Sequence, residues 1–476
     1  MDQEALLPRS VPSEEGVDAT GVSGLLERLE EQGIECHSLM VVRRGRVIAE
    51  GWWAPYSAER PHLLYSLTKS IVGVAVGMAV DDGLIALDDR VVDILPEHVP
   101  DPVSARAAEL TVHHLLSMST GHEGDVLEAA WALEPHDLVR GFLRIAPDAP
   151  VGSRHAYNNP TTFVLARMIE RVTGRDLPEL LSQRLFGPME VTSVDWERLR
   201  SGVTFGFHGA YLTTEAIVAF GLLLLQGGQW RGHQLVSQRW VEMATRRQIE
   251  TVQFEDGSRG PDWLEGYGYH FWRSRYGYRG DGAMGQLCLV VPEQDLVVAV
   301  TAATTTTQAL LTLIWDQLLP SVDKPGSAAD DRALADRLRQ LTLPVVTGDH
   351  RPRTSAGGVV VAATEASALP SGSAVSIEPR PDGWSLRIDA DGNTFDVPVG
   401  HGHWQESSPL GRPIVAAGGW YGDVFEADLF VITTPSRVRV VIDSDRVTTT
   451  WNIVPLVGAN LIDQLRSPLI TRPDRS

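Results

Sequence analysis

Residues 65–83 read YSLTKSIVGVAVGMAVDDG. From Ser66 to Val80 the run is apolar nearly all round, is rich in Gly and Ala, and stops at an Asp82-Gly83 C-cap signal. That pattern predicts a helix packed on every side, at the centre of a domain. Ser66 opens the helix and Lys69 follows at i+3, one turn on and on the same face, so the amine can reach the hydroxyl. A serine hydroxyl is a poor nucleophile near neutral pH and needs an adjacent base, which lysine can be only where its surroundings favour the neutral amine. An all-apolar helix supplies that desolvation. Arginine could not serve, because its guanidinium stays protonated, and this chain nearly always chooses arginine: of 41 basic residues only Lys69 and Lys324 are lysines. A bare S-x-x-K also fits Ser66 as an N-cap with Lys69 snorkelling to solvent, so the neighbours must decide.

Working outward, residues 22–33 carry leucines at helical spacing, and residues 38–53 read as two strands around a turn at Arg44-Gly45. Downstream, helices are predicted at 111–119, 137–144, 160–173, 178–185, 213–227 and 236–245, a largely helical middle. From Gly266 the runs GYGYHFWRS, QLCLVVP and LVVAVTA turn to aromatic and β-branched residues and predict strands, closed by a helix at 307–319. The expected architecture is α/β of the α+β kind: an antiparallel sheet flanked by helices, with an all-α region. Residues 1–322 form that domain, and 323–357, rich in Pro, Gly, Ser, Ala and Asp, read as a linker with one short helix. Residues 358–476 show short β-type runs at the spacing of an all-β domain, a barrel or a sandwich.

Two further segments carry chemistry. Tyr157-Asn158-Asn159 precedes Pro160 and a helix, so Tyr157 lies on a loop leading into it, where a tyrosine can relay protons if a nearby ammonium lowers its pKa. Asn159 before Pro also reads simply as an N-cap. Gly280-Asp281-Gly282-Ala283 leads into the strand QLCLVVP, and glycines there would let a substrate lie against the backbone, near main-chain N–H groups of the kind an oxyanion needs. The same glycines also fit a plain hairpin.

In this order and spacing the three pieces resemble the serine β-lactamase and penicillin-binding-protein superfamily, in its class C-like branch with family VIII esterases and D-aminopeptidases. The resemblance spans about residues 10–320 and implies a role for each residue. Ser66 would be the nucleophile, Lys69 its base partner, and Tyr157 and Asn159 the ends of the Y-x-N element. Gly280 to Gly282 would stand for the K-T-G or H-T-G strand, with the N–H groups of Ser66 and Ala283 as oxyanion donors. The departure is Gly280 where relatives carry Lys or His, followed by Asp281. A substrate carboxylate would lose its cation and meet a negative charge, which favours esters or neutral amides over β-lactams. Arg273, Arg275 and Arg279 read as a solvated face in an Arg-rich chain. Trp263, Tyr267, Tyr269, Phe271 and Trp272 read mainly as core with some pocket lining.

The formal charge of −20 argues against nucleic acid or an anionic membrane surface as partner. The first residues lack a secretory signal pattern, which predicts a cytoplasmic protein. Cys36 and Cys288 read as buried, reduced thiols. Asp81-Asp82 and Asp88-Asp89 read as solvated caps rather than a glycosidase pair. His113-His114 and His401/His403 lack partners at metal-ligand spacing, so neither metal nor organic cofactor is expected. The expectation is a serine hydrolase taking a small ester or amide. A D-amino acid amidase or peptidase, a β-lactamase, and a non-catalytic binding or sensing protein on the same fold are the alternatives, and self-association as a homo-oligomer is left open.

Overall fold

Helix α1 (Ala19–Glu31) precedes a hairpin of β1 (Glu35–Arg43) and β2 (Arg46–Trp52). The hairpin turns at Arg44 and Gly45, both with positive φ (50° and 73°), the twist a two-residue connection requires. The computed structural model describes residues 5–199, 201–253, 259–350, 355–361 and 364–466. Further elements that position the site are α2 (Leu67–Asp81), α3 (Asn159–Thr173), α4 (Thr214–Leu225), β3 (Trp272–Ser274), β4 (Gly277–Gly282), β5 (Gln286–Val291), β6 (Leu296–Ala303) and α5 (Ala328–Arg339). The strands form one sheet in the order β2-β1-β6-β5-β4-β3. The pairs β1/β6, β6/β5, β5/β4 and β4/β3 are antiparallel.

Every residue of β5 and β6 is buried, so the middle of the sheet is covered on both faces. Helix α4 lies directly on it. A Cβ at Gly221 would stand 2.5 Å from Val297 Cγ1 and 2.9 Å from Cys288 Sγ, so the missing side chain sets the approach of helix to sheet. Cys36 and Cys288 are buried free thiols, both pushed up to about 12 by that burial. Helix α2 is buried from Leu67 to Ala79 and packs against α3 and β4, the central position its all-round apolar sequence implies. The predicted strand at 266–274 shrinks to Trp272–Ser274, because the chain before it bends at His270, which takes a left-handed conformation (φ 62°).

The chain separates into two units, and the boundary differs from the sequence expectation. The first unit takes in the chain up to Gly51 and Leu64–Arg339, the second Trp52–Leu63 and the chain from Gln340. The helix expected in a linker is therefore α5 of the first unit. Its Leu334 and Leu338 are buried, and Arg337 donates to the Ser23 carbonyl and Glu27 (both 3.1 Å) and to Glu30 (3.2 Å) on α1. Residues 52–63 are counted with the second unit because their bonds lie there: Tyr56 Oη donates to the Thr434 carbonyl (3.0 Å), Arg60 to both Glu406 oxygens (2.9 and 2.7 Å), and Leu63 N–H to the Thr433 carbonyl (2.8 Å).

The second unit is a barrel rather than a sandwich. Among the described residues the ring is built from β7 (Ala356–Val360), β8 (Ala374–Arg380), β9 (Gly383–Ala390), β10 (Asn393–Gly400), β11 (Ile414–Tyr421), β12 (Val424–Phe430), β13 (Arg437–Asp443) and β14 (Arg446–Trp451), and a short further strand, Gln405–Ser407, pairs antiparallel with β11. Neighbours in sequence pair antiparallel except β10 and β11. The ring closes through two parallel junctions, β7 to β14 and β10 to β11 at Gly400 and Ala417. Inward positions alternate along the strands, as with Trp384, Leu386, Ile388 and Ala390 on β9, and fill the interior with apolar side chains.

Candidate active site

The chain enters α2 through Tyr65, a non-glycine residue held at φ +45°, a conformation that costs on the order of 1–3 kcal/mol and persists only where the surroundings enforce it. Leu64 N–H donates to the Ala210 carbonyl (2.9 Å), and Lys69 N–H to the Ser66 carbonyl (2.9 Å). Ser66 occupies the N-cap position with helical dihedrals (φ −70°, ψ −11°), and its side chain makes no capping bond. Its Oγ instead lies 2.9 Å from Lys69 Nζ. Lys69 is 1% exposed, which disposes of the snorkelling alternative. Nζ also donates to the Phe207 carbonyl at 2.8 Å. That carbonyl belongs to a loop pinned by Tyr211 Oη, which donates to Glu197 at 2.5 Å. Burial pushes the Lys69 ammonium from 10.5 down to about 7, against the opposing field of the Asp125 carboxylate.

Tyr157 stands on the other side of the serine. Its hydroxyl is hydrogen-bonded to the Ser66 side chain, and Lys69 Nζ lies 4.9 Å from its ring centroid. Contrary to the sequence expectation of a lowered phenol, burial raises Tyr157 well above 10.0; the bond to Ser66 lowers it, while Asp281 and Asp125 raise it further. The phenol thus stays protonated where the lysine is half neutral. The ring stacks on Trp272 (5.9 Å between centroids, 10° between planes) and meets Tyr267 edge-on at 6.4 Å.

Asn159 is not the N-cap. That position is Asn158, which is fully buried, makes no capping bond, and accepts from Val126 N–H through Oδ1 (3.1 Å). Asn159 is the first helical residue, and Asp125 captures both its backbone N–H (3.1 Å) and its Nδ2 (2.5 Å). Asp125 also accepts from Leu127 N–H (3.1 Å), so an exposed carboxylate is fixed by three donors within electrostatic reach of Lys69 and Tyr157. No local pattern in the sequence marks it.

The missing side chains of Gly280 and Gly282 on β4 allow close packing. A Cβ at Gly280 would meet Leu67 Cδ1 at 2.2 Å and Ser70 Oγ at 2.9 Å, and one at Gly282 would meet the Leu64 carbonyl at 2.0 Å. Helix α2 and the backbone before Ser66 lie against the face of β4 toward which those side chains would point. Ala283 follows in the turn to β5, where Met284 and Gly285 both have positive φ, and its carbonyl accepts from Gln286 Nε2 (3.1 Å). The sequence reading of the arginines also changes. Arg275 is exposed and Arg273 half-buried, but Arg279 is wholly buried. Its Nε donates to Asp281 at 2.7 Å, its Nη1 to the Asp262 carbonyl and Ser274 Oγ, and its guanidinium lies 4.5 Å from the Trp263 ring centroid. Burial raises the Asp281 carboxyl and the Arg279 charge opposes the rise. Asp281 is therefore paired, not a bare negative charge facing substrate. Tyr267, Tyr269 and Phe271 are core residues, whereas Trp263 and Trp272 line a cavity.

Around Ser66 the chain thus assembles a buried amine half neutral near pH 7, a protonated phenol, and a fixed carboxylate, which together can accept a proton from a hydroxyl and return one to a departing group. A family model described as Beta-lactamase matches residues 22–319. The chain is 27% identical over 304 residues to the 6-aminohexanoate-dimer hydrolase of Paenarthrobacter ureafaciens, across 59% of this chain and 75% of that protein. It is 29% identical over 208 residues to esterase EstB of Burkholderia gladioli, across 37% of this chain and 52% of that one. Among solved structures it resembles EstCE1, a hydrolase with promiscuous acyltransferase activity (TM-score 0.52, 16% identity, 65% of this chain, 99% of the other). It also resembles SurE (TM-score 0.51, 18% identity, 91% of this chain, 98% of the other). At these identities the likeness to the solved structures is one of fold.

Proposed function

This chain belongs to the beta-lactamase family, and from that premise we propose that it is a serine hydrolase that forms an acyl-enzyme at Ser66 on a small ester or amide. The observation that carries the reading is the Lys69 amine: 1% exposed, 2.9 Å from Ser66 Oγ, and near 7 in pKa. In the neutral form the amine accepts the Ser66 proton as Oγ attacks the substrate carbonyl carbon. The Tyr157 phenol, protonated throughout, gives its proton to the departing alcohol or amine as the scissile bond breaks, and takes one back from the Lys69 ammonium. Water then attacks the ester to Ser66; its proton passes to the Lys69–Tyr157 pair, Ser66 Oγ is reprotonated, and the acid product leaves.

The Arg279–Asp281 pair supports esters and neutral amides over β-lactams, because Arg279 is already committed inside the protein and is not free to meet a substrate carboxylate. Turnover of short p-nitrophenyl esters, D-amino acid amides and nitrocefin by the full chain and by Ser66→Ala tests the reading. Ester turnover well above nitrocefin turnover, abolished in Ser66→Ala, is the expected result. Equal turnover by the variant, or nitrocefin hydrolysis exceeding ester hydrolysis, would reject it. A folded chain that turns over none of them would favour a binding protein on this fold.

A further inference from the structure

Tyr157 faces two ways: its hydroxyl reaches Ser66, and its ring forms part of the wall of a cavity of about 620 Å³ lined also by Trp263, Trp272, Thr306 and Gln308. That volume is within the range of pockets that enclose small organic ligands. Resting on the reading that Ser66 is acylated, we propose that this cavity holds a flat aromatic group of the substrate, so that the preferred esters or amides carry an aryl ring.

Three features of the lining point to this chemistry. Much of its polar capacity is committed to the framework: Arg259, which also lines the cavity, donates from Nη1 to the Val252 carbonyl (2.7 Å), Gln308 donates from Nε2 to Asp262 (2.8 Å) and accepts from Asp262 N–H (3.1 Å), and the Thr306 hydroxyl is bonded to that of Thr304 (2.9 Å). Its aromatic faces are fixed. Trp272 is stacked with Tyr157, and Trp263 meets Trp272 edge-on at 6.3 Å and 68°. Arg279, wholly buried and therefore behind the cavity wall, holds Trp263 from 4.5 Å. Rings already immobilised lose little freedom when a ligand arrives, and aromatic surfaces favour aromatic partners beyond what their area alone gives. Because the wall includes the residue that bonds Ser66, a ring held there is tethered beside the scissile bond.

The test uses pairs of esters with the same carbon skeleton, in which one ring is flat and aromatic and the other saturated and puckered. Phenylacetate is compared with cyclohexylacetate, both as trifluoroethyl esters, and benzyl acetate with cyclohexylmethyl acetate. The first pair tests the acyl side and the second the leaving-group side. The full chain should favour the aryl member of at least one pair by about 3- to 10-fold in kcat/KM. Trp263→Leu should erase that preference, while Trp263→Phe retains part of it. Should the Trp263 variants fail to fold, competitive inhibition of the full chain by benzyl alcohol against cyclohexylmethanol, or by phenylacetate against cyclohexylacetate, reads the same preference. Equal turnover and equal inhibition within both pairs would overturn the aromatic pocket while leaving the acyl-enzyme intact. No turnover of any member, with Ser66 inert to a fluorophosphonate, would instead remove the acyl-enzyme reading and this proposal with it.

Discussion

Replacing Lys69 by Met should stabilise the fold at pH 6 while abolishing hydrolysis. The side chains are similar in length, but only lysine brings a proton into a site that disfavours it. The ammonium falls from 10.5 to about 7 on burial, so the folded chain binds this proton more weakly than the unfolded chain does. The stability associated with a neutral lysine is therefore fully present above pH 10.5 and is lost as pH falls toward 7. The whole gap is worth about 5 kcal/mol at ~1.4 kcal/mol per pH unit. Nearly all of that loss is in place at pH 6, and about 2 kcal/mol of it at pH 9. Against this, Met leaves the Phe207 carbonyl without the donor that Lys69 supplies at 2.8 Å, a cost of roughly 1–3 kcal/mol that does not depend on pH. The variant should thus be more stable than the parent by about 2–3 kcal/mol at pH 6, with the advantage nearly gone at pH 9. Urea titrations at the two pH values, followed by near-ultraviolet circular dichroism, measure the difference; other titrating groups are common to both proteins and cancel. A difference that does not change between pH 6 and pH 9 would refute the desolvated amine.

The remaining outcomes follow from the same contacts. Asp125→Asn removes the negative field that raises the Lys69 pKa, so the acid limb of the pH profile of kcat/KM should move to lower pH, with Asn159 rescued in part by the amide; an unmoved limb would mean that Asp125 acts only on Asn159. Gly282→Ala should damage activity and stability more than Gly280→Ala. The first drives a Cβ to 2.0 Å from a fixed backbone carbonyl, the second to 2.2 Å from the end of a leucine that can turn, and overpacking of this kind costs typically 1–3 kcal/mol in thermal or urea unfolding. Arg279→Met leaves the Asp281 carboxylate buried without its partner and should destabilise the fold by about 3–5 kcal/mol at pH 7, less at acid pH where Asp281 can take a proton.

How much of this was readable beforehand depends on how local each feature is. The i, i+3 geometry that joins Ser66 to Lys69 is intrinsic to a helix, and the all-round apolar run around it announced both the central position of α2 and the burial of the amine. The Arg44-Gly45 turn and the alternation in the barrel strands were equally local. Asp125 was not, since its position depends on a loop brought to the start of α3 from 34 residues away. The Phe207 carbonyl has no side-chain signature at all. Gly280 and Gly282 were visible as unusual, but a glycine in a strand marks close approach by something without naming it, and here it is helix α2 and the Leu64 backbone. Arg279 and Asp281 are two apart on one strand and so share a face, a signal of pairing that the arginine-rich composition masked. The placement of residues 52–63 with the barrel rests on bonds to residues more than 300 positions away, which no local pattern encodes.

The most direct test is the pH dependence of the rate at which a fluorophosphonate modifies the full chain, with the adduct located by peptide mass spectrometry. A buried neutral amine beside the serine requires a single adduct on Ser66, formed at a rate that rises with one midpoint near pH 7. An adduct on another residue, or a rate unchanged from pH 5 to pH 9, would contradict it.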